Sequence, residues 1–176
     1  TGDKITNKSH ILNNYTDILV KAEKIDNSTI KAKNISIKSK ETNIVSSNLN
    51  IDEEFNIDSD KLLITNKKTK EFKELKTTSN KEYLLDEKEI SNNSNINAKE
   101  INLNNSETTI KASNVIADKL IGENIYVKSE ILNNEYIKKS KNITYKEDVD
   151  VKYQENVSSN ILAKNIKTKS LDIEGS

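Results

Sequence analysis

The chain has no cysteine, methionine, tryptophan or proline, three glycines in 176 residues, and no arginine, so all 28 of its basic residues are lysine. Without cysteine, neither disulfides nor a thiolate metal site holds the fold, and no redox compartment can be read. A single histidine, His10, removes most metal and general-base constellations. Its polar neighbours near the chain start mark it as a surface residue. Lysines balance the 28 acidic residues and are spread along the whole chain, which argues against the concentrated basic patch a nucleic-acid surface needs. No run approaches the roughly 18 apolar residues that span a bilayer, and no signal-peptide core precedes a cleavage site. A soluble chain whose export address lies elsewhere is therefore expected. The start at "TGDK", without an initiating Met, suggests an excised fragment of a larger protein.

Apolar residues are scarce, at 33% against 32% charged. Disorder is nevertheless not expected, because net charge is zero and Leu, Ile, Val and Phe make up 46 of 176 residues. What organises them is repetition. "NSTIKAKNISIKSKETNI" from Asn27 returns as "NSNINAKEINLNNSETTI" from Asn93, and "SSNILAKNIKTKS" from Ser158 begins it again. The opening serines Ser28 and Ser94 lie 66 residues apart, and Ser94 and Ser159 lie 65 apart. Within each long unit a step of 19 separates Ser28 from Ser47 and Ser94 from Ser113. The long period is thus two short repeats plus an insertion.

Counted from each opening serine, offsets two, four, seven and nine are apolar or small. They are Ile30, Ala32, Ile35 and Ile37, then Ile96, Ala98, Ile101 and Leu103 in the matching unit. The unit from Ser113 gives Val115, Ala117, Leu120 and Gly122, and that from Ser159 gives Ile161, Ala163, Ile166 and Thr168. From Ser47, Leu49 and Ile51 fit, and one extra residue moves the second pair to Phe55 and Ile57. Steps of two keep side chains on one face of a strand. The step of three predicts a corner at Lys33–Asn34 and its counterparts, with a further strand near Ile44, Ile110, Ile125 and Val127, or Leu171 and Ile173. A weaker first repeat begins at Ser9, with Ile11 and Ile18 inward. This pattern predicts an all-β solenoid of about 19-residue coils, in which stacked coils share the core none could bury alone. The apolar offsets lack a helical stripe, and Asn, Ser, Thr and Ile are poor helix formers.

Two insertions, at about residues 69–92 and 134–157, interrupt the repeats at equivalent places. Each has an aromatic entry (Phe72, Tyr136), a polar middle and an alternating exit, and reads as a β-hairpin projecting from the solenoid.

"SNINAKEINLNNSETTIKASNVIADKLIGENIYVKSEILNN" resembles the haemagglutinin repeats of filamentous-haemagglutinin exoproteins, with their pattern S-N-[IV]-x-A-x-x-[IL]-x-[IL]. Two repeats alternating with a Lys/Ser/Thr-rich excursion resemble most the second haemagglutinin-repeat block of contact-dependent growth-inhibition proteins. The resemblance covers the chain from about Asn27 onward. It implies a right-handed parallel β-helix, secreted to the outer-membrane surface of a Gram-negative bacterium through a two-partner-type outer-membrane transporter. It further implies a structural segment that serves adhesion, or that presents and delivers a C-terminal toxin to a target-cell surface. The family carries glycines at the first corner where this chain has Lys, Asn, Asp and Glu, and Asn and Asp tolerate the left-handed backbone expected there.

No catalytic, cofactor-binding or metal-ligating set is expected. "DEEFNIDSD" from Asp52 and "EDVD" from Glu147 lack the glycines of calcium loops and read as solvated acidic stretches. Carbohydrate-active β-helices need clustered carboxylates, and no outward offset is acidic in every repeat. The alternative to a structural segment is an adhesin module, with Tyr136, Tyr145 and Tyr153 as candidate aromatic anchors on the insertions. The asparagines could stack as amide ladders, but their place at bends predicts that they serve turn geometry. Open solenoid ends predict end-to-end self-association.

Overall fold

The computed structural model describes residues 11–20, 24–77, 82–141 and 146–175, and among them lie seventeen strands and no helix. The chain divides into two compact units, Thr1–Lys67 with Asn92–Ser129 and Ser158–Ser176, and Lys68–Ser91 with Glu130–Val157.

The first unit contains two parallel sheets. One runs in the order β1 (Ile11–Val20), β3 (Thr29–Lys38), β5 (Asn48–Ile51), β10 (Asn95–Asn104), β12 (Asn114–Ile121) and β16 (Asn160–Lys167), and β6 (Glu54–Asp58) also lies between β3 and β10. The other runs β2 (Lys24–Asp26), β4 (Glu41–Val45), β7 (Lys61–Thr65), β11 (Glu107–Lys111), β13 (Asn124–Lys128) and β17 (Ser170–Glu174). Successive strands pair at the offsets of the sequence repeat: Ile30 with Leu49, Leu49 with Ile96, Ile96 with Val115 and Val115 with Ile161. This all-β arrangement of parallel sheets is consistent with a β-solenoid.

Burial alternates identically in β3 and β10, inward residues being covered and outward ones exposed. The inward residues of both sheets form one core that includes Ile30, Ile35, Ile44, Leu49, Phe55, Ile96, Ile101 and Ile110. Full burial of such a side chain contributes at most about 1.5–3 kcal/mol. β-Branched isoleucine suits these positions because its restricted χ1 fits a pleated, half-buried surface.

Three expectations need correction. The step of three at Lys33–Asn34 is not a corner between strands, because β3 runs through it from Thr29 to Lys38 and stays in one sheet, as do β10, β12 and β16. Neighbouring strands take the same step at the same place, so Ala117 pairs with Ala163 and Lys119 with Asn165 without a shift. Only the extra residue around Asp52 and Glu53 divides a repeat, into β5 and β6. The first repeat pairs Leu12 with Ile30 and Ile18 with Ile35, with a register shift between Leu12 and Tyr15. Ile11 thus pairs with Thr29 rather than Ile30.

The left-handed residues also lie elsewhere. Asn27, Ser46 and Ala112 have φ of 47°, 47° and 43°, and each immediately precedes an opening serine. They mark the three places where the chain passes directly from the second sheet to the first. Where an insertion intervenes, before Ser94 and Ser159, the preceding residues Asn93 and Ser158 are not among the residues with positive φ. An L-residue in this region is strained by its Cβ, so each direct crossing holds a strained residue just ahead of its serine.

The opposite crossing is shortened once. Asn102 pairs with Ile121 and Thr108 with Ile125, so six steps along one repeat match four along the next. Gly122 sits in the shortened stretch, where an added Cβ would meet Ile125 Cδ1 at 3.1 Å. A side chain there would force Ile125 to move.

The second unit is one antiparallel sheet in the order β8 (Lys67–Thr77), β9 (Glu82–Asn92), β14 (Glu130–Lys141) and β15 (Lys146–Val157). Each insertion is a hairpin, β8 beside β9 and β14 antiparallel to β15, and the two hairpins join in one sheet. β9 of the first pairs with β14 of the second, Glu87 with Glu135 through Tyr83 with Lys139.

Candidate functional site

Two columns of polar side chains run along the first sheet of the first unit. Ser28, Ser47, Ser94, Ser113 and Ser159 are all buried. The amide of Ser28 donates to Ser47 Oγ at 3.1 Å, that of Ser47 to Ser94 Oγ at 3.2 Å, and that of Ser113 to Ser159 Oγ at 3.3 Å. Each hydroxyl in turn donates to carbonyls at the crossing: Ser47 to Val45 O at 2.8 Å, Ser94 to Thr65 O at 2.7 Å and Ser159 to Lys128 O at 2.6 Å. The serine is small enough to fit inside the bend and both donates and accepts, which a buried crossing requires.

One residue further on, a second column faces solvent. Asn95 Nδ2 donates to Asn48 Oδ1 at 2.8 Å, Asn114 to Asn95 at 2.7 Å and Asn160 to Asn114 at 2.9 Å. Asn102 donates likewise to Asn56 at 2.9 Å. The amide ladder is present, against the expectation that these asparagines serve turn geometry alone. Parallel in-register pairing places identical amides one strand apart, the condition for such stacking.

Of the residues expected inward, Ile30, Ala32, Ile35, Ile37, Leu49, Ile51, Phe55, Ile57, Ile96, Ala98, Ile101, Leu103, Val115, Ala117 and Leu120 are buried. Ile161 and Ala163 are only partly buried and Ile166 is 41% exposed. They lie on β16, the edge of its sheet, with a neighbour on one side only.

In the second unit two polar rows cross the sheet. Lys70 pairs with Glu87, which lies opposite Glu135, which pairs with Lys152 at 3.0 Å. Beside it, Glu89 Oε2 accepts the Asn133 amide at 2.7 Å, Asn133 Oδ1 accepts Gln154 Nε2 at 2.9 Å, and Lys68 Nζ lies 3.0 Å from Glu130 and 3.7 Å from Glu89. Asn134 Oδ1 accepts the Glu89 amide at 2.9 Å. Side chains thus continue the β9–β14 contact beyond the backbone pairing, which runs only as far as Glu135. The two rows line a shallow groove whose acids are each met by a lysine or an amide.

Tyr136 is half-buried on β14, opposite Val151 and Asp86. Tyr153 lies on β15 opposite Asn134 and is partly exposed. The register sets the two diagonally on the same face of the β14–β15 pair. Tyr145 and His10 lie outside the described residues. The acidic stretches meet lysines, Glu53 with Lys33, Asp58 with Lys38 and Glu147 with Lys138. Among the described residues no group of three or more His, Cys, Asp or Glu is placed to hold a metal.

The hydrogen bond from the Asn133 amide holds the Glu89 carboxyl below its usual range, with Lys68 adding to the effect. Lys70 and Lys152 are raised, chiefly by hydrogen bonds to Glu87 and Glu135. A depressed carboxyl contributes stability above its unfolded value of about 4.3 and loses it as pH falls through the folded value. Raised lysines contribute below about 10.4 and lose it as pH rises through their folded values. The rows should therefore hold across the neutral range and loosen at both extremes. Amide exchange, corrected for its intrinsic pH dependence, should show Asn133 losing protection on acidification while Ile137, within the backbone pairing, keeps it. Protection of Asn133 unchanged to pH of about 3 would refute the role given to Glu89.

Comparison with protein-family models, with curated proteins and with solved structures gives no match for this chain.

Proposed function

We propose that the chain is a non-enzymatic structural segment of a secreted bacterial haemagglutinin-like exoprotein. The parallel sheets are read as the faces of a right-handed β-solenoid with coils of about 19 residues, and the insertion sheet as its decoration. In this reading the segment is a stiff spacer that serves adhesion or the presentation and delivery of a C-terminal toxin in cell contact. Its partners are a two-partner-type outer-membrane transporter and a target-cell surface, and its place is the outside of a Gram-negative cell.

The observation that carries the reading is the in-register stacking of Ser28, Ser47, Ser94, Ser113 and Ser159, the last four opening the S-N-apolar motif that resembles haemagglutinin repeats. The facing acids Glu87 and Glu135 are each held by a lysine, Lys70 and Lys152, which supports a structural role over hydrolysis of a sugar. A second reading, direct binding by an adhesin module, is supported by Phe72 and Leu75, 64% and 51% exposed on β8 of the second unit.

Substitution of this chain for the repeat block of a two-partner-secreted exoprotein should preserve secretion and surface display, and the purified chain should not bind host or bacterial cells. Loss of display would overturn the structural reading. Saturable cell binding abolished by Phe72→Ser with Leu75→Ser would establish the adhesin instead.

A further inference from the structure

The repetition that builds the first unit also leaves its interior ambiguous. Ile30, Leu49, Ile96 and Val115 are exchangeable aliphatic residues at one buried position, and the serine column presents the same hydroxyl in every repeat. Nothing inside therefore tells β10 to stack on β5 and β6 rather than on β3. A skipped stack, with the repeat from Ser47 looped out, adds little closure entropy and still sets aliphatic against aliphatic. Strands whose buried face does not specify a neighbour are prone to alternate pairings. The outward charges do distinguish the repeats.

Where each strand takes its step of three, Lys33, Glu53, Lys99, Asp118 and Lys164 form an exposed column over five successive repeats. Their signs alternate throughout. Lys33 Nζ lies 3.5 Å from Glu53, and Lys164 Nζ lies 2.7 Å from Asp118. The Lys99 amide donates to the Glu53 carbonyl at 3.1 Å, and the flanking pairs, Ala98 with Ala117 and Glu100 with Lys119, set Lys99 beside Asp118. In the second sheet Glu41, Lys61 and Glu107 stand in register, again with alternating signs. Of the ion pairs described in this unit, all but Lys24 with Asp26 join neighbouring repeats. Two like-charged neighbours, Glu54 with Glu100 and Lys111 with Lys128, lie in other columns, where Lys119 meets Glu100 and Glu174 meets Lys128.

We infer that the alternating columns are a stacking code, which selects the adjacent repeat over the next but one. One step along either column meets the opposite charge, and two steps meet the same charge. Moving β10 onto β3 would oppose Lys99 to Lys33 and Glu107 to Glu41, and would bring no outward charge into register with an opposite one. Opposite charges facing each other across neighbouring strands are favourable and like charges destabilising, so both effects favour the native neighbour. A single exposed pair contributes little, and the selection is therefore made by the column as a whole. The interior supplies the stability and the exterior excludes the alternative stack. The inference stands on register and charge and does not depend on the secretory reading.

The absence of cysteine allows a direct test on the full chain. Asn97 lies beside Asn50, which lies beside Lys31, and all three are exposed. After refolding from urea, a thiol cross-linker that spans one strand spacing of about 4.8 Å but not two should join Asn50→Cys to Asn97→Cys. It should leave Lys31→Cys and Asn97→Cys apart. Adding Glu53→Lys and Asp118→Lys makes the first column wholly lysine, and the cross-link between positions 31 and 97 should then rise roughly tenfold. Lys33→Glu, Glu53→Lys, Lys99→Glu, Asp118→Lys and Lys164→Glu together restore alternation with every sign reversed. This chain should return to the original level although it carries more substitutions. A lysine column that refolds as faithfully as the alternating one, or a reversed column that does not recover, would overturn the proposal. Loss of both cross-links with the lysine column would show that the charges stabilise without selecting a neighbour, and would overturn it as well.

Discussion

Phe55→Ala is expected to destabilise the first unit by about 3–5 kcal/mol, the largest loss from any single core truncation here. Phe55 is fully buried and stands between Ile35 on β3 and Ile101 on β10. Its neighbours are fixed by strand pairing on both sides, so the strands cannot collapse into the space it leaves, and the cavity adds to the lost transfer energy. Against a total stability of about 5–15 kcal/mol for a domain, the loss is a large fraction. Urea unfolding followed by circular dichroism should show the midpoint falling sharply, and Phe55→Leu should recover most of it. A loss under about 1 kcal/mol would mean that the column packs less tightly than its burial indicates.

Ser94→Ala should cost about 2–3 kcal/mol although it removes one oxygen, because the Ser47 amide loses its acceptor inside the core. The Thr65 carbonyl loses one of its two donors and keeps the Ser46 amide. Asn95→Ala, one residue along, removes side-chain bonds to both Asn48 and Asn114 and should cost no more than about 1 kcal/mol. Water replaces the lost partners in the exposed column and cannot reach the buried one. The contrast is measured by paired urea titrations, supported by amide exchange at Ser47. Equal losses for the two variants would show that burial does not distinguish the columns.

The inward positions were legible because the repeat states them several times, and an irregularity such as the extra residue before Phe55 stands out against its neighbours. Stacking was legible for the same reason. What the residues did not disclose lies in pairing between distant segments. Nothing in the pattern of Glu82–Asn92 or Glu130–Lys141 announces that these strands meet, since each reads equally well as half of its own hairpin. The left-handed residues were placed at the wrong bend because the step of three looks like a turn in one strand. It is absorbed only when the neighbouring strands make the same step. The asparagine ladder depends on register at the level of single residues, which the serine spacing implied but turn propensity obscured. The exposure of Ile166 follows from its place at a sheet edge, which its motif, shared with buried positions, does not encode.

The serine column closes over unequal lengths of chain. One amide-to-hydroxyl bond links residues 19 apart, another residues 47 apart and a third residues 46 apart, with nearly the same distance. The fold thus measures neighbours in space and is indifferent to the contour between them. A crossing ahead of a serine is a site where sequence can be gained or lost while the core keeps its addresses, because closure entropy grows only slowly with the added length. Crossings made directly carry a strained residue, and those opened by an insertion do not. Each unused crossing, at Asn27, Ser46 and Ala112, is therefore a vacancy into which the lineage of this chain can write new surface without rewriting its interior.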